Sequence, residues 1–143
     1  MMHHFVFKIL SNEVHQLILF CDSCAGENKN FTVLRFFHHL VVQTKRFDFV
    51  KIVFPIRGHS YLECDRNMNL VNCNTYTETP NDWREVLRSS RQKPSPFEII
   101  DCEKEVIFQN WTEYLPSLYP KNASFQTRPI RVLEIRKDLS DFI

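Results

Sequence analysis

A strand, helix and strand pattern between residues 17 and 54 limits this chain to few folds. The run from Leu17 to Phe20 is continuously apolar, which is typical of a buried strand covered on both faces. Residues 28–46 place apolar side chains on one broad helical stripe, and Phe49 to Phe54 forms a second apolar run. Two strands joined by a helix normally form a right-handed parallel crossover. We therefore predict an α/β fold with a parallel pair of strands.

Polar residues follow both of these strands. Asp22 lies just beyond the first strand, before a turn over residues 23–26, and His59 lies just beyond the second. Because parallel strands end at the same edge of a sheet, where ligands and metals gather, Asp22 and the loop around His59 are expected to emerge together. Ser60 is a candidate N-cap for a helix that runs through Asp65. The sequence thus predicts two polar clusters at one sheet edge.

The composition is that of a folded domain without a strong charge. The chain has 143 residues and is 43% hydrophobic, which suits one domain with a real core. Its 18 Lys and Arg residues against 17 Asp and Glu residues give a formal net charge of +1. A nucleic-acid partner would therefore have to be bound by a local patch of charge.

Cysteine usage and the N-terminal segment favour an intracellular protein. The 5 cysteines are an odd number without framework spacing, which indicates a reducing compartment. The first apolar run is broken by Lys8 and is too short for a signal peptide, and no stretch has transmembrane length. Glycosylation sequons at Asn30, Asn110 and Asn122 are the one feature that favours secretion. We expect an intracellular protein without a membrane partner, with the nucleus as a candidate compartment.

The character of the sequence changes after residue 74. Thr79-Pro80-Asn-Asp82 predicts a helix start, and strand-like runs follow at residues 97–100, 106–108 and 130–135. We predict a partial core at residues 1–74 and a C-terminal helix plus β-rich extension of the same domain at residues 75–143. The predicted helix carries Arg84, Arg88 and Arg91, which form either a solvated face or a phosphate-contacting patch.

Two ordered motifs give the chain a family resemblance. Asp22-Ser-Cys-Ala-Gly-Glu-Asn-Lys-Asn30 and Gly58-His-Ser-Tyr-Leu-Glu-Cys-Asp65-Arg66 resemble an uncharacterised domain of transposon-derived, transposase-like proteins of animals. Those proteins typically contain S-D-G-C-G-G-Q-N-K-N and, after a strand, G-H-T-x-x-x-x-D. The segments at residues 80–83 and 96–97 also match their usual ending. The resemblance covers most of the chain from Leu17 onward.

The resemblance implies part of a ribonuclease H-like core, which is a sheet with flanking helices whose acidic residues hold two divalent metal ions. Metal-dependent DNA cleavage or strand transfer uses ions about 4 Å apart to activate water and stabilise the leaving oxygen. Carboxylates are the side chains that hold such hard cations well. By this resemblance Asp22 and Asp65 would bind Mg²⁺ or Mn²⁺, and His59 would orient a phosphate or a water.

DNA is the partner that the resemblance implies, with Asn28, Lys29, Asn30 and Arg66 as the residues that would contact it. Lys29 is expected near the first turn of the predicted helix, where it could help to hold a phosphate. A cation at that end of a helix opposes the helix dipole.

The chain departs from the family pattern in three places. A ribonuclease H-like core opens with a three-stranded meander whose first strand bears the first carboxylate, and this meander has no counterpart before Leu17. Glu27 stands where the family has glutamine, and Ala25 replaces a glycine. Neither of these two changes removes a predicted metal ligand, but the first carboxylate is missing with the meander, so we expect an inactive fragment of an ancestral cleavage or strand-transfer domain. The alternative is a non-catalytic interaction or nucleic-acid-binding module.

Local alternatives remain for the same residues. Asp22 could be a plain turn residue, since aspartate is favoured before tight turns. Cys21 and Cys24 form a single C-x-x-C pair, which could bind zinc, act in redox chemistry, or in the case of Cys21 simply fill the core. His38 and His39 are expected to be a half-buried pair with satisfied hydrogen bonds.

Overall fold

The computed structural model describes residues 1–24, 26–56, 62–72, 77–100, 108–120 and 124–142. These residues divide into two compact units. We call them the sheet unit, from residues 1–60 and 107–143, and the helical unit, from residues 61–106.

Three strands form the sheet in the order β1-β2-β3. Strand β1 is Gln16–Phe20, β2 is Phe49–Val53 and β3 is Val132–Arg136. Strands β1 and β2 pair in parallel, which confirms the predicted crossover, and β3 joins β2 in the antiparallel direction. The fold is therefore a mixed α/β fold with a partly parallel sheet, and its third strand comes from the predicted C-terminal extension.

Helical segments of the sheet unit pack on one face of the sheet. Helix α1 is Met2–His4 with a π-helical continuation Phe5–Ile9, and α2 is Phe31–His38 with a π-helical continuation His39–Gln43. Helix α5 is Trp111–Tyr114, followed by a 3₁₀ turn at Leu115–Ser117, and a second 3₁₀ segment spans Lys137–Phe142. Among the residues buried in this core are Val6, Leu34, Phe37, Leu40, Val50, Ile52, Leu115 and Ile135.

The opposite face of the sheet is open, which corrects the prediction that β1 is covered on both sides. Along β1 the side chains alternate between half-buried and exposed, with Ile18 and Phe20 exposed at 55% and 59%. Strand β1 is an outer strand of the sheet. Of its five residues, Leu17 and Leu19 pack against the core. A continuous apolar run therefore does not require two packed faces when the strand lies at a sheet edge.

Helix α2 and its continuation end in a left-handed residue, which turns the chain toward β2. Lys45 has a φ of 53°, and the Arg46 N–H donates to the carbonyl of Leu40 at 2.9 Å. This closes the helix in the way that a glycine usually does. The Arg46 guanidinium then donates to carbonyls of the segment between α1 and β1, at Val6, Leu10, Ser11 and Val14.

The helical unit contains α3, Glu63–Asn72, and α4, Pro80–Ser90. The predicted start of α4 is confirmed, because the Thr79 hydroxyl accepts from the Asp82 N–H and the Asp82 carboxylate accepts from the Thr79 N–H. The strand expected at residues 97–100 is not formed. Instead, the Arg91 guanidinium lies 4.0 Å from the Phe97 ring centroid and donates to the Ser95 carbonyl, which holds this segment against the end of α4.

Candidate functional site

Asp22 lies at the C-terminal end of the parallel strands β1 and β2, which we call the Asp22 edge of the sheet. The Cys21 N–H donates to the Val53 carbonyl at 3.0 Å, so the β1–β2 ladder continues to the residue before Asp22. The loop after β2 is tied to the same place, because the Ser23 hydroxyl donates to the Pro55 carbonyl at 3.2 Å. The expectation that Asp22 emerges at this edge is confirmed. His59 lies outside the described residues, so its convergence with Asp22 stays a prediction.

The Asp22 carboxylate closes its own loop through one oxygen. Its Oδ1 accepts from the Asn28 side-chain amide and, at 3.4 Å, from the Cys24 N–H. The Asn28 N–H in turn donates to the Cys24 carbonyl at 3.0 Å. Asp22 itself is exposed to solvent. Since its described contacts fall on Oδ1, a cation could reach Oδ2 without displacing any of them.

Asn30 is the N-cap of α2 and uses both ends of its side-chain amide. Its Oδ1 accepts from the Val33 N–H at 3.0 Å, and its Nδ2 donates to the carbonyls of Gly26 and Glu27. These bonds satisfy a free N–H group at the helix start and fix the turn before it. The predicted contact between Asn30 and nucleic acid stays a prediction, and such a contact would have to share or replace these bonds.

Lys29 is buried beneath the sheet edge, with only 4% of its surface exposed. It precedes the N-cap of α2, and its Nζ lies 5.0 Å from the centroid of the Phe54 ring. Burial, and secondarily the charge of Arg131, lower the pKa of the Lys29 ammonium. Among the residues that the structure describes, no carboxylate forms an ion pair with Lys29. An anion at this edge would therefore reduce the cost of burying the charge.

Asp65 and Arg66 lie in the first turn and a half of α3, in the helical unit, and both are exposed. Asp65 Oδ2 accepts from the Leu62 N–H at 3.0 Å, so this carboxylate helps to begin its helix. Ser60, the predicted N-cap of this helix, lies outside the described residues. The joint binding of a metal by Asp65 and Asp22 stays a prediction.

A larger metal-binding cluster is not found in the described part of the chain. No three side chains among its His, Cys, Asp and Glu residues come together in a way that could hold an ion. The C-x-x-C pair has one half-buried and one exposed cysteine. Burial, followed by the charge of Asp22, raises the pKa of the Cys21 thiol. Both zinc binding and redox chemistry need a thiolate, so this environment disfavours both alternatives at Cys21.

His38 and His39 differ from the sequence-based expectation in burial and in hydrogen bonding. His38 and His39 are buried, not half-buried, and His38 Nδ1 lies 2.7 Å from the Tyr119 hydroxyl. Burial raises the pKa of Tyr119 to about 12, so this hydroxyl keeps its proton at neutral pH. Within the described ranges, His38 Nε2 and His39 Nδ1 have no hydrogen-bond partner. The expectation of a satisfied pair is therefore wrong, and only the unusual His-His dipeptide within an apolar helix could have indicated it.

The predicted arginine patch on α4 is largely occupied by local contacts. The Arg84 guanidinium donates to the Asn81 side chain at 2.6 Å, and Arg91 packs on Phe97. Arg88 is exposed. These contacts orient the guanidinium groups of Arg84 and Arg91 but do not neutralise them, so the helix face keeps its positive charge.

An exposed carboxylate beyond parallel strands, beside a helix start and a buried ammonium, defines a candidate polar ligand site on an α/β domain. The chain belongs to the family described as Domain of unknown function (DUF7869), whose family model matches residues 2–125. The matched range includes Asp22, His59 and Asp65. Comparison with the curated proteins finds no match, and comparison with the solved structures finds none either. No helix within the described ranges is long and apolar enough to cross a membrane.

Proposed function

We propose that this domain derives from a ribonuclease H-like, transposase-type core that cut or joined DNA with divalent metal ions, and that it now retains binding without turnover. The observation that carries the proposal is the exposed Asp22 carboxylate beyond the end of parallel β1, anchored by Asn28 through Oδ1. Its nuclear or other intracellular location is part of the same proposal.

The metal half of the proposal rests on the chemistry of Asp22. Mg²⁺ keeps several waters and commonly takes one or two protein carboxylates, so an anchored carboxylate with a free oxygen is a suitable ligand. Asp65 is the proposed second ligand, and His59 the group that orients a phosphate or water. Mn²⁺ prefers the same oxygen ligands.

The nucleic-acid half rests on the buried charge of Lys29, which precedes the N-cap of α2. Lys29 adds an ammonium at the start of α2, where the helix dipole also favours an anion. Asn28 and Asn30 shape the loop around it, and Arg66 is the exposed cation next to Asp65. We propose that these four residues contact the DNA backbone.

A titration of the ¹⁵N-labelled chain with Mg²⁺, followed by amide shifts, tests the metal site. We expect localised, saturable shifts near Asp22 and Asp65 at millimolar metal, and their loss near residue 22 in Asp22→Asn. Asp48→Asn is the matched control, because Asp48 is an exposed aspartate that precedes β2 at the opposite edge of the sheet. The proposal fails if the wild-type shifts are absent, or if Asp48→Asn removes them as fully as Asp22→Asn does.

The second candidate function is a non-catalytic interaction or nucleic-acid-binding module. It is favoured by the local structural roles of both carboxylates: Asp22 closes a loop, and Asp65 begins a helix. DNA binding measured by fluorescence anisotropy with and without EDTA separates the two. If the affinity for DNA is unchanged by EDTA and by Asp22→Asn, the result supports the non-catalytic module. If DNA binding requires both the metal and Asp22, the result supports the first proposal.

A further inference from the structure

A small cleft with aromatic walls lies in the sheet unit between the end of α2 and helix α5. Its volume is about 250 Å³, and it is lined by His39, Gln109, Asn110, Trp111 and Tyr114. We call it the aromatic cleft. Its lining residues come from two segments about seventy positions apart, which only the fold brings together.

Three rings of the aromatic cleft meet at steep angles. The His39 and Trp111 centroids are 5.8 Å apart at 58°, those of His39 and Tyr114 are 5.6 Å apart at 86°, and those of Trp111 and Tyr114 are 5.7 Å apart at 78°. Edge-to-face pairs at these centroid distances are the usual packing of aromatic rings, and here they build one continuous wall of the cleft. Rings set as the walls of a corner suit a compact group that is attracted from several directions.

The rings are held in place before any ligand arrives. Phe36 packs edge-on against Trp111 with centroids 4.7 Å apart, and His39 is only 7% exposed. Tyr114 is the open wall, with 47% of its surface exposed. A binding corner with fixed walls loses little conformational entropy when it is filled.

A cation in the aromatic cleft would be attracted by the ring faces. His3 packs against Trp111 with ring centroids 5.5 Å apart, and its pKa is lowered by burial and then by the N-terminal ammonium, so positive charge also lies near this ring. Burial lowers the pKa of His39, so this ring is neutral at physiological pH and does not repel positive charge. Among the described residues, the other side chains that line the cleft are uncharged, and the Asn110 side-chain amide donates to the Glu113 carboxylate at 2.8 Å. Tryptophan and tyrosine have the ring faces that attract cations most strongly.

An independent feature marks the same place. The helix changes from α to π geometry at His39, and His39 Nδ1 is buried without a hydrogen-bond partner. Such π-helical segments are frequent at functional sites, and an unsatisfied buried nitrogen costs stability. Phe5–Ile9 is also π-helical, so the buried nitrogen in the cleft lining is the feature that distinguishes His39.

We propose that the aromatic cleft binds a methylated ammonium group, such as a trimethylated lysine side chain or a choline-type small molecule. This site is separate from the Asp22 edge and does not depend on the function proposed there. Attraction between the ring faces and the positive charge provides the binding free energy. The small volume of the cleft excludes larger head groups.

Tryptophan fluorescence provides the measurement, since the chain has 2 tryptophans and Trp83→Phe leaves Trp111 as the sole reporter. In this background we titrate tetramethylammonium, choline and the neutral choline analogue 3,3-dimethylbutanol. We expect saturable changes with the two cations and binding of the neutral analogue weaker by on the order of tenfold. Equal binding of choline and the neutral analogue, or no saturable change with either cation, overturns the proposal.

Paired variants locate the site. Tyr114→Leu removes the open wall and should weaken choline binding by on the order of tenfold, whereas Tyr114→Phe should retain it within about threefold. Phe125→Leu, an exposed aromatic elsewhere in the sheet unit, is the matched control and should leave binding unchanged. Circular dichroism verifies the fold of each variant. Unchanged choline affinity in a folded Tyr114→Leu variant also overturns the proposal.

Two further ligands identify the source of the ammonium group. A peptide that carries one trimethylated lysine is compared with the same unmodified peptide and with choline. Tighter binding of the methylated peptide than of choline identifies a peptide ligand, and the reverse identifies a small molecule. Equal affinity for the methylated and unmodified peptides, at a level that matches choline, counts against recognition of methylation.

Discussion

The ammonium of Lys29 lies 5.0 Å from the centre of the Phe54 ring, beneath the edge of the sheet where β1 and β2 end. The side chain is almost fully buried and its charge faces this ring, and no carboxylate in the described ranges forms an ion pair with it. A cation–π contact recovers part of the lost hydration of an ammonium, but not all of it. Lys29 therefore costs stability in the free protein, and this cost would fall if an anion bound beside it.

Replacement of Lys29 by methionine tests this interpretation. Methionine is one heavy atom shorter than lysine, but it keeps an unbranched apolar chain beside the Phe54 ring and removes the charge. The free energy of unfolding at pH 7 should therefore stay the same or rise by about 1–2 kcal/mol. DNA binding should weaken in the same variant. Urea unfolding and fluorescence anisotropy measure the two effects. A loss of more than about 1 kcal/mol would show that the ammonium stabilises the fold.

The pH dependence of stability gives a second measure of the same charge. The folded-state pKa of Lys29 is lowered from 10.5, so the unfolded chain holds this proton more tightly than the folded chain. The wild type should therefore gain stability relative to Lys29→Met as the pH rises toward 10.5. Urea unfolding of both proteins between pH 7 and pH 10 measures this difference, which should be absent if Lys29 titrates normally.

Acid should destabilise the sheet unit through the buried His38 and His39 and the half-buried His3. Burial lowers the pKa values of His3, His38 and His39 from 6.5, so the unfolded chain takes up protons first as the pH falls. Their contribution to stability is fully present above pH 6.5 and declines below it. His39→Phe removes one titrating group and one unsatisfied nitrogen, so it should reduce this decline without loss of stability at pH 7. Thermal unfolding at pH 5 and pH 7 provides the test.

The central crossover was predictable from the sequence because its signals are local. The apolar runs around Leu17 and Phe49, with a helical stripe between them, specify strand, helix and parallel strand without any distant contact. Thr79 and Asp82 form a capping box within four residues, so the start of α4 was equally visible. Asp22 was placed at the correct edge for the same reason.

The remaining features depend on contacts between distant segments. Arg91 draws Phe97 back onto α4, and this contact overrides the strand propensity of residues 97–100. The burial of Lys29 requires Phe54 at the end of another element. The aromatic cleft joins His39 to Trp111 and Tyr114 across the fold. The periodicity of one segment carries no information about contacts with a distant segment, so these features are seen only in the three-dimensional structure.

The left-handed conformation of Lys45 predicts a simple stabilising substitution. A residue other than glycine at a φ of 53° is strained, and Lys45 is exposed, so its side chain contributes little packing. Lys45→Gly should leave stability unchanged or raise it by about 1 kcal/mol, after the extra freedom of glycine in the unfolded chain is included. Lys45→Val should lower stability, since a branched Cβ increases the strain. Urea unfolding of the two variants should rank glycine above wild type or level with it, and valine last.

Arg46 holds the segment between α1 and β1 by donating to several main-chain carbonyls. Its Nη1 donates to Val14 at 2.7 Å and its Nη2 to Ser11 at 2.8 Å, with longer contacts to Val6 and Leu10. Arg46→Met should cost about 2–4 kcal/mol, because the charge-assisted bonds are lost and the carbonyls lose their partners. Arg46→Lys should restore only part of the lost stability, since an ammonium cannot reproduce the planar fork of donors.

Hydrogen exchange should show that protection falls first in residues 5–15 of the Arg46→Met variant. The exposed control Arg88→Met should leave both stability and exchange unchanged. Equal stability of Arg46→Met and wild type would mean that water satisfies these carbonyls as well as the guanidinium does.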